Sequence, residues 1–127
     1  MKVSLVIPAY NEEKRIFSTL IKTISYLETF IRDYEIIVVD DGSYDKTAKV
    51  VNVIASKNPY IKLIKLIKNS GKGFAVRIGV LSATGELILF MDADGATPID
   101  EISKLITAIE KGADIAIASR SIKDENI

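Results

Sequence analysis

The sequence predicts an α/β domain with a doubly wound, mainly parallel sheet and helices on both faces. Three observations lead there. Short apolar runs alternate with stretches whose apolar residues recur at three- and four-residue steps. Each short run is bounded by turn residues, as buried strands are. Carboxylates cluster where the runs end, at Tyr10-Asn11-Glu12, Asp40-Asp41 and Asp92-Ala93-Asp94. In open parallel sheets, ligands bind at the carboxyl ends of the strands.

The elements follow in order. Val3 to Ile7 is a first buried strand, and Pro8, which has no N–H, is expected to end its ladder. Asn11 is a candidate helix cap, with Glu12 and Glu13 suited to a positive first turn. Ile16, Leu20, Ile24, Leu27 and Ile31 then mark one helical face, ending near Arg32-Asp33. Glu35 to Val39 is a second strand. Ser43 or Asp45 caps a second helix carrying Ala48, Val51 and Ile54, and Asn58-Pro59 stops it. Ile61 to Ile67 alternates apolar and basic residues, which fits an edge strand. Asn69 to Gly73 is a loop. Phe74 to Ala83 is a third helix whose small residues Ala75, Gly79 and Ala83 permit close packing on the sheet, and Thr84-Gly85 ends it. Glu86 to Met91 is the acidic-ended strand, with Gly95 allowing a sharp turn after it. Pro98 suits the first turn of a fourth helix faced by Ile102, Leu105, Ile106 and Ile109 and ended by Gly112. Ala113 to Ala118 is a fifth strand, followed by Ser119-Arg120 and a polar tail.

Composition narrows the chemistry. The chain has 127 residues, with 17 basic and 17 acidic side chains, so charge gives no case for nucleic-acid binding. It has no Cys and no His, which excludes disulfides, thiol nucleophiles, the usual zinc ligand and the usual general base. No apolar run approaches the roughly 20 residues of a membrane span. Met1-Lys2 leads into a strand with no cleavage-site pattern, so the chain reads as a soluble, cytoplasmic domain.

The Asp92, Asp94 pair after a buried strand suits a hard divalent cation, Mg²⁺ or Mn²⁺, which takes one or two carboxylates and shares its other positions with water and phosphates. Two other phosphate designs fail. The first strand-to-helix turn, Pro8-Ala9-Tyr10-Asn11-Glu12, lacks the glycines of a dinucleotide fingerprint. Gly71-Lys72-Gly73 lacks the spacing and hydroxyl of a P-loop. What remains is a nucleotide held by side chains, with its phosphates on a cation at Asp92 and Asp94.

Pro8-Ala9-Tyr10-Asn11-Glu12, Val38-Val39-Asp40-Asp41-Gly42-Ser43 and Asp92-Ala93-Asp94 resemble, in order, spacing and strand-end placement, three signature stretches of the family 2 glycosyltransferases with the GT-A fold. Asn69 to Gly79 and Asp92 to Thr97 are similar to the dolichyl-phosphate β-glucosyltransferases within that family; the dolichyl-phosphate mannose synthases usually differ after Asp-Ala-Asp. The resemblance implies that Pro8, Tyr10 and Glu12 line the base and ribose pocket. It implies that Asp40 or Asp41 bonds the base, with a turn role for Asp41 as the rival. Lys72 and Arg77 would lie near the base or phosphates, although Lys72 also suits a solvated loop. Asp92 would sit beside ribose and metal, Asp94 would be the main metal ligand, and Arg120 would approach the phosphates of donor or acceptor.

The implied reaction inverts the sugar's anomeric centre. It takes glucose from UDP-glucose to dolichyl or another polyprenyl phosphate, whose phosphate is already anionic and needs little activation by a base. The rivals are a GDP-mannose enzyme and a nucleotide-sugar-binding module without turnover. A nucleotidyltransferase wants a glycine-rich, basic first turn that this chain lacks. Family members run well beyond this length, so residues 1–127 read as a nucleotide-binding part truncated at its C-terminal end. The full-length protein is expected at the cytoplasmic face of a membrane. An unpaired edge on Glu86 to Met91 or Ala113 to Ala118 is expected to favour a homodimer.

Overall fold

The computed structural model describes residues 2–95 and 101–110. In chain order these form β1 (Val3–Ala9), α1 (Ile16–Phe30), β2 (Tyr34–Asp40), α2 (Thr47–Ala55), β3 (Ile61–Lys65), α3 (Lys72–Ser82), β4 (Leu87–Phe90) and α4 (Glu101–Glu110). Among the described residues the strands make one parallel sheet in the order β3-β2-β1-β4. Val3 pairs with Tyr34 on one side and Leu87 on the other, and Ile36 pairs with Ile61. β3, with its alternating lysines, lies at an edge as its pattern predicts. Pro98, Gly112, the strand expected at Ala113 to Ala118, and Arg120 lie outside the described residues.

The two-residue period of the strands divides the core into two layers. Leu5, Ile7, Ile36 and Val38 face α1 and α2, with Ile16, Leu20, Leu27, Val51 and Ile54 packed on them. Val6, Ile37 and Val39 face α3, with Ala75 against them. The small stripe on α3 works as expected: Gly79 is buried, and a Cβ there would strike the Val6 side chain. Ile106 of α4 joins the first layer, while the side chains of Ile102, Leu105 and Ile109 lie outside the description.

Two expectations need correction. β1 does not end before Pro8; it continues to Ala9, with Pro8 in register with Val39. In a parallel strand, successive residues turn their backbone groups to opposite neighbours. The Met91 N–H donates to the Val6 carbonyl at 3.0 Å, so the next residue turned toward β4 is Pro8. Its missing N–H therefore ends the β4 ladder and leaves the β2 ladder intact. Asn11 is not the cap of α1 either. It adopts φ 52°, and α1 begins only at Ile16, after a turn closed by Glu12.

The amino-terminal end of the sheet is locked by one buried charge. Glu35 Oε2 accepts hydrogen bonds from the Ser4 hydroxyl at 2.6 Å and the Thr84 N–H at 2.6 Å, and Lys62 Nζ donates to Oε1 at 3.1 Å. Burial by itself would push this carboxyl up, but these hydrogen bonds outweigh it and hold its pKa at about 2.

Candidate functional site

The carboxyl ends of β1, β2 and β4 open onto one rim. Two loops there are stitched together by backbone donors. The Asn11 N–H donates to Ser43 Oγ at 2.8 Å and the Glu12 N–H to Thr47 Oγ1 at 2.8 Å. In return, the Tyr44 N–H donates to Asn11 Oδ1 at 3.2 Å. The left-handed Asn11 thus joins the β1–α1 loop to the β2–α2 loop. Its neighbour Tyr10 packs edge-on against Tyr44, with ring centroids 5.9 Å apart. Asp45 accepts the Thr47 hydroxyl and the N–H groups of Thr47 and Glu13, so one side chain serves both loops; burial would raise its pKa, but these bonds, the hydroxyl's foremost, lower it.

Asp41 organises the facing wall. Its Oδ1 accepts the Ser70 N–H at 2.7 Å, and its Oδ2 accepts the Gly71 N–H at 2.9 Å and Asn69 Nδ2 at 3.1 Å. The β3–α3 loop is therefore folded onto the end of β2, and Gly71, at φ 103°, turns the chain into α3. Gly42, at φ 73°, makes this approach possible, because a Cβ there would meet the backbone of Lys68 and Asn69.

Between these walls lies a cleft of about 390 Å³ lined by Pro8, Ala9, Tyr10, Glu12, Asp41, Asn69, Gly71, Lys72, Asp92, Ala93 and Asp94. Of the residues singled out in the sequence, it brings together Pro8, Tyr10, Glu12, Asp41, Lys72, Asp92 and Asp94. Asp40 is not among them. It is 1% exposed, lies on the α1–α2 side of the sheet, and its Oδ1 accepts the Ser43 N–H at 3.2 Å. That alternation leaves Asp41 on the cleft side and gives Asp40 a turn-closing role. Arg77 is exposed on α3 outside the cleft lining, and Arg120 lies outside the described residues. Asn69 and Gly71 are lining residues to which the sequence assigned no role; the cues were the Asn-Ser-Gly turn ahead of a helix and the family resemblance of Asn69 to Gly79.

The acidic turn after β4 is anchored from behind. Thr19 Oγ1 donates to the Ala93 carbonyl at 2.9 Å, and Gly95 turns at φ 73° as expected. Asp92 is ion-paired with the Lys72 ammonium, and the Glu12 carboxylate with Arg15. Asp94 borders both the cleft and a second cavity of about 230 Å³ beside α1, lined by Lys14, Arg15 and Lys22 among others.

Among the described residues, no three acidic side chains converge as a ready cage. Asp92 and Asp94 nonetheless fit a hard divalent cation. Both supply carboxylate oxygens at the cleft edge, Asp92 already holds a cationic group, and Mg²⁺ or Mn²⁺ completes its shell with water and phosphate.

Comparison with known proteins agrees with this architecture. The glycosyl transferase family 2 model matches residues 4–127. A dolichyl-phosphate beta-glucosyltransferase of Trichomonas vaginalis is 48% identical over 129 residues, covering 93% of this chain and 38% of that protein. A dolichol-phosphate mannosyltransferase of Pyrococcus furiosus is 42% identical over 123 residues, covering 97% of this chain and 34% of that protein. The chain thus spans little more than a third of the length of these relatives. Among solved structures, a mannosyltransferase from Pyrobaculum calidifontis in complex with GDP-Man and Mn²⁺ superposes with a TM-score of 0.71 at 29% identity, covering 82% of this chain and 31% of that one.

Proposed function

The chain belongs to glycosyl transferase family 2, and from that premise we propose that it is the nucleotide-sugar-binding domain of a metal-dependent, inverting glycosyltransferase. The proposed reaction moves glucose from UDP-glucose to dolichyl or another polyprenyl phosphate. The observation that carries this is the strand-end cleft, where Pro8, Tyr10, Asp41, Lys72, Asp92 and Asp94 meet. The acceptor is supported by the names of the two relatives, both of which specify dolichyl or dolichol phosphate.

Each residue then has a task. Pro8 and Tyr10 offer a flat, largely apolar wall to base and ribose, with Glu12 at its edge. Asp41 acts as a positioning residue: by holding Ser70 and Gly71 it fixes the wall opposite. Lys72 brings a positive charge to the diphosphate. Asp92 and Asp94 would hold Mg²⁺ or Mn²⁺, which when bound neutralises the negative charge that develops on the departing nucleoside diphosphate. A polyprenyl phosphate arrives already anionic, so its oxygen can attack the anomeric carbon without a histidine base, and the chain contains no His. Arg120 is assigned to the phosphates and Arg77 to a more distant electrostatic role. The proposal places the full-length protein at the cytoplasmic face of a membrane, although no helix among the described residues is long and apolar enough to cross one. It also includes a homodimer formed through an unpaired edge of Glu86 to Met91 or of Ala113 to Ala118; β4 has no strand beyond it among the described residues.

A GDP-mannose reading is favoured by the Pyrococcus relative and by the GDP-Man complex of the Pyrobaculum enzyme. Calorimetric titration with UDP-glucose, GDP-mannose and UDP, with and without Mn²⁺, separates the readings. UDP-glucose should bind about tenfold more tightly than GDP-mannose in Mn²⁺, a difference of about 1.4 kcal/mol. The reverse order would move the assignment to mannose, and binding of neither would overturn the donor site.

A further inference from the structure

Lys72 is the first residue of α3, and its ammonium is bonded to Asp92 Oδ1. The two side chains are 55% and 24% exposed, so the pair is half-solvated and contributes little to folding stability. Its position matters more than its strength. The Asp41 carboxylate is occupied by three donors of the β3–α3 loop, and Glu12 carries Arg15. The Lys72 ammonium therefore sits on the Asp92 carboxylate, which is one of the two assigned above to the divalent cation.

An ammonium and a divalent cation on one carboxylate repel each other, so each weakens the other's hold on it. Lysine is a compact charge on a flexible four-carbon stem, so it can leave one anion for another within reach. α3 adds a second attraction for anions, since its first-turn N–H groups and positive dipole end lie at the cleft wall, where Gly71 and Lys72 are lining residues. We propose that Lys72 competes with the divalent cation for Asp92, and that a bound nucleoside diphosphate resolves the competition by drawing the ammonium onto its phosphates. Metal and nucleotide then bind as a coupled pair, and this goes beyond a phosphate contact for Lys72. The proposal rests on the assignment of Asp92 and Asp94 as metal ligands.

The coupling can be measured without turnover. Mn²⁺ binding to the intact chain is followed by the electron paramagnetic resonance signal of free Mn²⁺, with and without saturating UDP. In Lys72→Met, Mn²⁺ binding without nucleotide should tighten about tenfold. Mn²⁺ binding with UDP present should change much less, and metal-free UDP binding should weaken. Lys72→Arg should restore the parent's coupling. Equal tightening in both states would reduce Lys72 to a general background charge and overturn the proposal, as would unchanged or weaker Mn²⁺ binding without nucleotide. Asp94→Ala separates loss of the metal site from loss of the competition. If Asp94→Ala binds Mn²⁺ like the parent, the metal assignment itself fails. If Asp94→Ala loses Mn²⁺ while Lys72→Met behaves like the parent, only the competition fails.

Discussion

Asp94→Ala should abolish most of the gain that Mn²⁺ gives to nucleoside diphosphate binding, a loss of about 100-fold, or roughly 2.7 kcal/mol. Asp94 is exposed at the rim and follows the strand, so its replacement leaves the sheet and both core layers untouched. Metal-free affinity for UDP should change little, because Tyr10, Pro8 and the Asp41-bound loop remain in place. Calorimetry in Mn²⁺ and in chelator reads both numbers. An Asp94→Ala chain that still gains the full Mn²⁺ effect would remove Asp94 from the metal site.

The second large effect concerns stability at the opposite end of the sheet. Glu35→Gln should destabilise the fold by about 2 kcal/mol near neutral pH, since it takes the anion from the buried Ser4 hydroxyl and from the donors of the exposed Thr84 and Lys62. The sign with pH follows from the lowered pKa. Glu35 falls from an ordinary 4.5 to about 2 in the folded chain, so its contribution is complete above pH 4.5 and is lost as pH drops toward 2. Urea unfolding of parent and Glu35→Gln should therefore differ most near pH 6 and converge between pH 4.5 and 2. Curves that stay equally far apart down to pH 2 would show that the charge is not the source of the difference. Nucleotide affinity should be unchanged, because Glu35 lies at the start of β2 and the cleft at its end.

The architecture was legible because buried parallel strands and amphipathic helices have different periods, carried by β1 to β4 and by α1, α2 and α4, while α3 showed itself through its stripe of small residues. The edge position of β3 followed from its alternating lysines. What failed depended on direction rather than composition. Pro8 reads as a strand terminator until the sheet order shows which neighbour its nitrogen faces. Asp40 and Asp41 could not be told apart because β2 is buried on both faces, so its apolar pattern does not mark the cleft side. Asn11 is a residue type that favours helix caps and is followed by two glutamates, but its side chain is used across the rim by Tyr44. The Lys72–Asp92 pair needs α3 to lie over β1 with β4 alongside, a tertiary fact that no local pattern contains.

The central claim is that one rim cleft binds the nucleoside diphosphate and its metal together. Backbone amide NMR of the intact chain, titrated with UDP in Mg²⁺, tests it most directly. The largest shifts should fall on Tyr10 to Glu12, Asp41, Asn69 to Lys72 and Asp92 to Gly95, with Glu35, Lys62 and Thr84 unmoved. Shifts concentrated away from the strand ends, or identical with and without Mg²⁺, would contradict it.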